Sequence, residues 1–131
     1  KLDPGTIASG ILPDNVLPNS PEFTFNAGIQ YRFGLAGGSG LVLRGDYVWQ
    51  DDVYFNATNL PGEFQDSYGL LNLRAAWVSA DDLWEVAAYG LNVSDEEYFT
   101  NGQDFTGPLC VSFAGLGAPR EVGLQVIYRS R

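Results

Sequence analysis

The sequence predicts an all-β protein, an antiparallel β-barrel or curved meander sheet of five to six strands. Three observations carry that prediction. Large or apolar side chains recur at every second residue, beginning with Phe23, Phe25, Ala27, Ile29, Tyr31 and Phe33, with Thr24, Asn26, Gly28, Gln30 and Arg32 between them. A period of two puts successive side chains on opposite faces of a pleated strand. The gaps between such runs are rich in Gly, Pro, Asn and Asp, and they alternate between short and long. No segment sustains the 3.6-residue period of a helix.

Residues 1–22 read as a loop leading into the barrel, punctuated by Pro4, Gly5, Gly10, Pro13, Pro18 and Pro21. The barrel segment is expected over 23–131. Its first strand is predicted over about 23–34, and Ala36-Gly37-Gly38-Ser39-Gly40 forms a short flexible turn. The second is expected over about 40–55, with Leu41, Leu43, Gly45, Tyr47 and Trp49 on one face and Arg44, Asp46 and Gln50 on the other. A loop follows around Asn59-Leu60-Pro61-Gly62. The third runs over about 66–79, with Leu71, Leu73, Ala75 and Trp77 opposite Asn72, Arg74 and Ala76. Ser79-Ala80-Asp81-Asp82 is a tight turn into the fourth, about 83–92, where Trp84, Val86, Ala88 and Gly90 alternate with Glu85, Ala87, Tyr89 and Leu91. Residues 93–118 read as a long polar stretch with one short strand near 109–113. The last strand, about 119–129, sets Val122, Leu124, Val126 and Tyr128 against Glu121, Gly123, Gln125 and Arg129.

An oily face with aromatic ends, strands near ten residues, and short turns alternating with long loops fit a barrel that crosses a bilayer. A soluble sandwich or a lipocalin-like barrel also alternates and remains open on pattern alone. No run approaches the roughly 20 apolar residues of a membrane helix. The mean hydropathy of −0.08 does not test a membrane barrel, because half of each strand is polar.

With 131 residues the chain is one domain or a piece of one, and its turn-like start without Met is expected to mean either a removed leader or a fragment. Seven basic residues against 16 acidic ones give a net charge of −9, which disfavours nucleic acid and a basic patch for anionic membranes. There is no His, which removes the commonest general base and metal ligand. Ser67, Ser79, Ser94 and Ser112 therefore have no imidazole to activate them, and Lys1 is the sole lysine. We expect no catalytic residue, no cofactor and no metal site. The acidic pairs Asp51-Asp52 and Glu96-Glu97 lack calcium-ligand spacing and read as loop charge. Cys110 stands alone and reads as a small apolar residue. Asn56-Ala57-Thr58 and Asn92-Val93-Ser94 match the glycosylation pattern, which means little in a bacterial-looking chain.

Four strings, in order, resemble the late barrel strands of TonB-dependent outer-membrane receptors. They are Leu17-Pro18-Asn19-Ser20-Pro21-Glu22-Phe23-Thr24-Phe25-Asn26, Asp66 to Arg74, Trp84-Glu85-Val86 with Gly90 to Tyr98, and Gly117 to Gly123 with Tyr128-Arg129. The third is similar to the family's "Asn-Leu-Thr-Asp-x-x-Tyr" segment. Together they cover about 17–129. The resemblance implies the C-terminal β-barrel segment of a much larger receptor that takes up siderophores or other small ligands. It implies a bacterial outer membrane, with lipid and the rest of the barrel as partners. One departure is the ending Tyr128-Arg129-Ser130-Arg131, where the family ends on an aromatic residue.

On this reading Arg32, Arg44, Asp46, Arg74, Glu85 and Arg129 face the lumen or a ligand. The aromatics Phe23, Phe25, Tyr31, Phe33, Tyr47, Trp49, Trp77, Trp84 and Tyr128 face lipid. An isolated segment leaves unpaired strand edges, so a small closed barrel with the aromatic face inward, or a homo-oligomer, is the expectation for the chain alone. Such a stand-alone barrel, binding or weakly hydrolysing apolar small molecules with esterase-like promiscuity, is the alternative function.

Overall fold

Alternation of β-branched and aromatic residues with polar ones produces five long strands in the computed structural model, which describes Gly5 and residues 9–130. They are β1 (Thr24–Gly34), β2 (Gly40–Gln50), β5 (Tyr68–Val78), β6 (Trp84–Leu91) and β9 (Glu121–Tyr128). Two short pieces, β3 (Val53–Tyr54) and β4 (Phe64–Gln65), pair with each other, as do β7 (Phe99–Phe105) and β8 (Val111–Leu116). The parts of the expected 1–22 loop at 1–4 and 6–8, like Arg131, lie outside the described residues.

The chain folds into two compact units. The sheet unit comprises Phe25–Trp49, Gly69–Glu96 and Ala118–Arg131. Its strand order is β1-β2-β5-β6-β9. The β5·β6 and β6·β9 pairs are antiparallel, with Ala75 opposite Ala88 and Ala88 opposite Leu124. The β1·β2 pair is antiparallel too, since Gly28 lies against Asp46 while Gly40 lies against Phe33. So is β2·β5, where Gly45 meets Leu73 and Gly69 meets Tyr47. β1 and β9 are left as edges, so the expected closure of the single chain into its own small barrel does not occur. Five strictly alternating strands leave β1 and β9 running the same way, and an antiparallel closing seam between them is geometrically impossible.

Two tight turns join neighbours. At Ala36–Gly38 the chain makes a 3-10 turn with φ of 80° at Gly37 and 85° at Gly38, values that suit residues without a Cβ. The Leu35 amide donates to the Ser39 carbonyl at 2.8 Å, so this expected flexible turn is an ordered hairpin end. The second turn is built by side chains. Ser79 Oγ donates to Asp81 Oδ1 at 2.5 Å and accepts from the Trp84 amide at 2.9 Å, while Asp81 Oδ1 also accepts from the Leu83 amide at 3.1 Å.

The loop unit comprises Lys1–Thr24, Gln50–Tyr68 and Glu97–Gly117. Here two expectations are corrected. The second long strand stops at Gln50 rather than continuing to 55, because the chain leaves the sheet to form β3. Residues 93–118 hold a whole hairpin, β7 and β8, rather than one short strand near 109–113. Between the two strands Thr106–Leu109 forms one helical turn, closed by Cys110 at φ 52°. The alternation of β7 is weak because Asn101, Gly102, Gln103 and Asp104 interrupt it, and a bulge shifts the register between Phe99 and Asn101. Polar strands of this kind give little periodic signal.

Candidate functional site

The register of the sheet unit collects the predicted residues onto two chemically opposed faces. On one lie Phe25, Ile29, Tyr31 and Phe33 of β1; Leu43, Tyr47 and Trp49 of β2; and Leu71, Leu73 and Trp77 of β5. Trp84, Val86 and Ala88 of β6 and Val122, Leu124, Val126 and Tyr128 of β9 complete it. Trp77 pairs across to Val86, and Trp84 meets Tyr128 in a tilted pair with ring centroids 4.7 Å apart. Tyr31 and Phe33 meet at 4.5 Å.

Among the described residues this face has no protein cover. Leu124 is 80% exposed, Ile29 77% and Val122 75%. Among the described residues no large side chain is fully buried, and the only buried apolar residues of the sheet unit are Ala76 and Ala87. Those two alanines sit opposite one another on the polar face. The aromatic residues cluster by height. Phe25, Tyr47 and Trp49 stand toward the long-loop ends of their strands; Tyr31, Phe33, Trp77, Trp84 and Tyr128 stand toward the short-turn ends. From Phe25 to Phe33 is eight steps of about 3.3 Å, roughly 26 Å along the strand. At a tilt of about 40° that is ~20 Å of height, close to the ~25 Å apolar band of an outer-membrane barrel. Between the two aromatic levels Gly45, Ala75, Ala88 and Gly90 leave a shallow hollow of about 820 Å³, walled by Ile29, Leu43, Leu73 and Val122.

The opposite face carries the predicted charges, and the strands bring most of them into contact. Arg44 grips Asp46 through two hydrogen bonds of 2.7 and 2.9 Å. The two residues are one pleat apart on β2, so both side chains leave the same face. Arg74 on β5 and Arg129 just beyond β9 converge on Glu85 of β6, at 2.6 and 2.7 Å. Arg74 also donates to Gln125 Oε1 at 3.2 Å. Two guanidiniums thus share one carboxylate that is 14% exposed. Arg32 is brought beside Gly40 but not to a carboxylate among the described residues. Phe23 lies one residue before β1, at the foot of the loop unit, and is 58% exposed.

Sequence reasoning missed the buried polar hubs. In the loop unit Glu63 is 5% exposed. It accepts from Thr58 Oγ1 at 2.5 Å, Asn56 Nδ2 at 3.1 Å, the Leu60 amide at 3.2 Å and the Asp104 amide at 3.4 Å. Gln65, equally buried, accepts from the Phe99 amide at 2.5 Å. In the sheet unit Asn92, at φ 46°, donates from Nδ2 to the carbonyls of Glu96 and Ala118 and accepts from the Glu96 amide. Asp95 then holds the Arg120 amide at 3.1 Å. The Nδ2 atoms of Asn56 and Asn92 are both committed inside the fold, which takes both glycosylation patterns out of use. The one available signal was the string Asn92 to Tyr98, whose Asn and Asp are these loop-building residues.

Asp104 is the loop unit's perturbed acid. Its Oδ1 accepts from the Thr106 hydroxyl at 2.5 Å and amide at 2.8 Å, and its Oδ2 from the Gly62 amide at 3.3 Å. Hydrogen bonds from Thr106, helped by the Gly62 amide, hold its pKa below the ordinary 3.8. No group of three or more Cys, Asp or Glu among the described residues is placed to hold a metal ion.

The family model described as TonB dependent receptor-like, beta-barrel, matches residues 3–93. The chain belongs to that family. The match takes in β1 to β6, and the open antiparallel sheet is what a segment of such a barrel wall looks like. TonB-dependent receptors reside in the outer membrane, so an apolar sheet face without protein cover has a physical explanation in this family. No solved structure matches the chain.

Proposed function

We propose that the chain is part of the wall near the C-terminal end of a TonB-dependent receptor barrel, with its apolar face to lipid and its charged face to the lumen. The observation that carries this is the uncovered apolar face bounded above and below by aromatic side chains. Hydrocarbon would cover Ile29, Leu124 and Val122, and the headgroup levels would take the two aromatic levels. At ~25 cal/mol per Å² of apolar surface, leaving such a face in water is costly. The parent receptor takes up a siderophore-like or other small ligand. Arg44–Asp46 and Arg74–Glu85–Arg129 line its lumen and brace whatever fills it, and Arg32, lacking a carboxylate partner in the sheet, is the side chain best able to take one from another segment or from a ligand.

All three tryptophans, Trp49, Trp77 and Trp84, lie on the apolar face, which makes a direct test possible. The chain is refolded into vesicles of lipid brominated at defined depths. Strong quenching of tryptophan emission by shallow bromines, with little effect of aqueous iodide, is the expected result. Emission quenched by iodide and untouched by brominated lipid would turn the apolar face away from the membrane and overturn the reading.

A further inference from the structure

Within the loop unit, three stretches of chain enclose a hollow of about 280 Å³. Asn19 comes from the first stretch, Gln50, Phe55 and Tyr68 from the second, and Phe99 and Thr100 from the third. Among the described residues none that lines it is charged. Its walls are held from behind. The Asn19 amide donates to the Tyr54 carbonyl at 2.8 Å. The buried Gln65 accepts from the Phe99 amide at 2.5 Å. Tyr68 stacks on Tyr98, with ring centroids 4.6 Å apart and planes 14° from parallel. A ligand therefore meets a surface already in place, and little order has to be created on binding. We propose that this hollow binds one neutral pyranose ring.

Three observations select that class. First, the hollow offers donors and acceptors together. The Gln50 carboxamide makes no hydrogen bond among the described residues, which leaves two N–H donors and a carbonyl acceptor. Asn19 Nδ2 reaches the Phe55 carbonyl at 3.4 Å, and its Oδ1 remains an acceptor. Thr100 Oγ1 donates to the Gly115 carbonyl at 3.2 Å and keeps its lone pairs to accept. A carboxylate or phosphate would use donors only, and an ammonium acceptors only. A sugar hydroxyl donates and accepts, and uses both kinds. Second, Phe55, Tyr68 and Phe99 supply aromatic surface to cover the C–H face of such a ring, while hydroxyls at its edge reach the amides. Third, the unit carries nine carboxylates against one lysine, a field that repels an anion. A cation finds no carboxylate in the lining. The volume lies at the small end for ligand pockets and suits one ring rather than a large chelate. The assignment deepens the receptor reading by naming the class of its small ligand, and it rests on that reading for the sugar's passage, while binding itself is measured on the chain alone.

The test is saturation-transfer NMR on the full chain in a zwitterionic detergent without a sugar headgroup. Methyl glucoside and methyl galactoside are the neutral probes, glucuronate the anionic one and glucosamine the cationic one. Transfer to the ring C–H protons of at least one neutral glycoside is expected, with glucuronate and glucosamine several-fold weaker. Gln50→Ala removes a carboxamide that has no partner in the fold, and it should raise the apparent Kd roughly tenfold. Phe99→Leu keeps apolar volume and drops the aromatic face. It should weaken binding by a similar factor, and it stands independently if Gln50→Ala misfolds. Phe113→Leu, outside the hollow, should leave binding unchanged. Weakening by either lining variant supports the site. No transfer to either neutral glycoside at tens of millimolar, a charged sugar binding as tightly as the neutral ones, or binding indifferent to both lining variants would overturn the proposal. Failure here with intact brominated-lipid quenching would leave the lipid-facing assignment standing.

Discussion

The two units solve opposite problems with the same kind of backbone. The loop unit carries nine carboxylates against a single lysine, buries the side chains of Glu63 and Gln65 and satisfies both internally. Glu63 and Gln65 at 5% exposure are among its most buried residues. The sheet unit is nearly balanced in charge, with six arginines against seven acids, and leaves its largest apolar side chains outside. In one unit hydrogen bonds hold irregular chain together where water is scarce. In the other, the backbone ladder joins neighbouring strands from β1 to β9 and the side chains wait for a solvent of their own. A protein's inside is thus defined by the medium it meets, and apolar burial within the chain is a poor guide to which residues matter.

The contrast can be broken most sharply from the sheet side. Leu124→Arg places a charge at the middle of the apolar face, and in a bilayer it is expected to cost ~2–4 kcal/mol. In water the side chain is already 80% exposed, so the substitution should be nearly silent there. The comparison is between the fraction inserted into vesicles and thermal unfolding without lipid. Equal effects in both media would refute the medium-dependence. The loop unit should respond in the opposite manner. Glu63→Leu leaves donors from Asn56, Thr58, Leu60 and Asp104 without their acceptor, and each buried orphan costs roughly 1–3 kcal/mol at most. Hydrogen exchange should accelerate at Leu60 and Asp104 whether or not lipid is present, and unchanged protection would show that the hub is idle.

The smallest expected effect sharpens the comparison through pH. Asp104 has a folded pKa below its ordinary 3.8, so its carboxylate stabilises the folded state fully above that value. That contribution is lost as pH falls through the lower folded value. Amide protection at Gly62 and Thr106 should weaken over that acid range, and Asp104→Asn should flatten the profile while leaving the sheet amides of β6 unaffected. A wild-type profile already flat below pH 4 would remove Asp104 from the account.

The sheet was legible in the sequence because its face separation is strict. Trp77 and Val86 share a face, as do Ala88 and Leu124, and the cross-strand register agrees at each pair. Arg74 and Glu85 were placed on one face, but their convergence with Arg129 required the β6·β9 register, which no local pattern encodes. The hairpin of β7 and β8 was largely invisible because its alternation is broken by Gly102 and Asp104. Glu63 and Gln65 were invisible for another reason. Their burial comes from partners dozens of residues away, such as Phe99 and Asp104, and a polar residue in a polar loop carries no mark of it.

Three tyrosine rings lie against glycines of a neighbouring segment: Tyr47 against Gly69, Tyr89 against Gly123 and Tyr98 against Gly117. Any Cβ at those glycines would run into the ring. A slip of one residue would swing each tyrosine to the wrong face, and a slip of two would set Tyr89 against Glu121 or Gln125. The β2·β5 and β6·β9 seams therefore each carry a lock with one key. A wrong alignment at either seam meets a steric obstacle of its own, and the glycines serve as proofreading positions whose value lies in the atoms they lack.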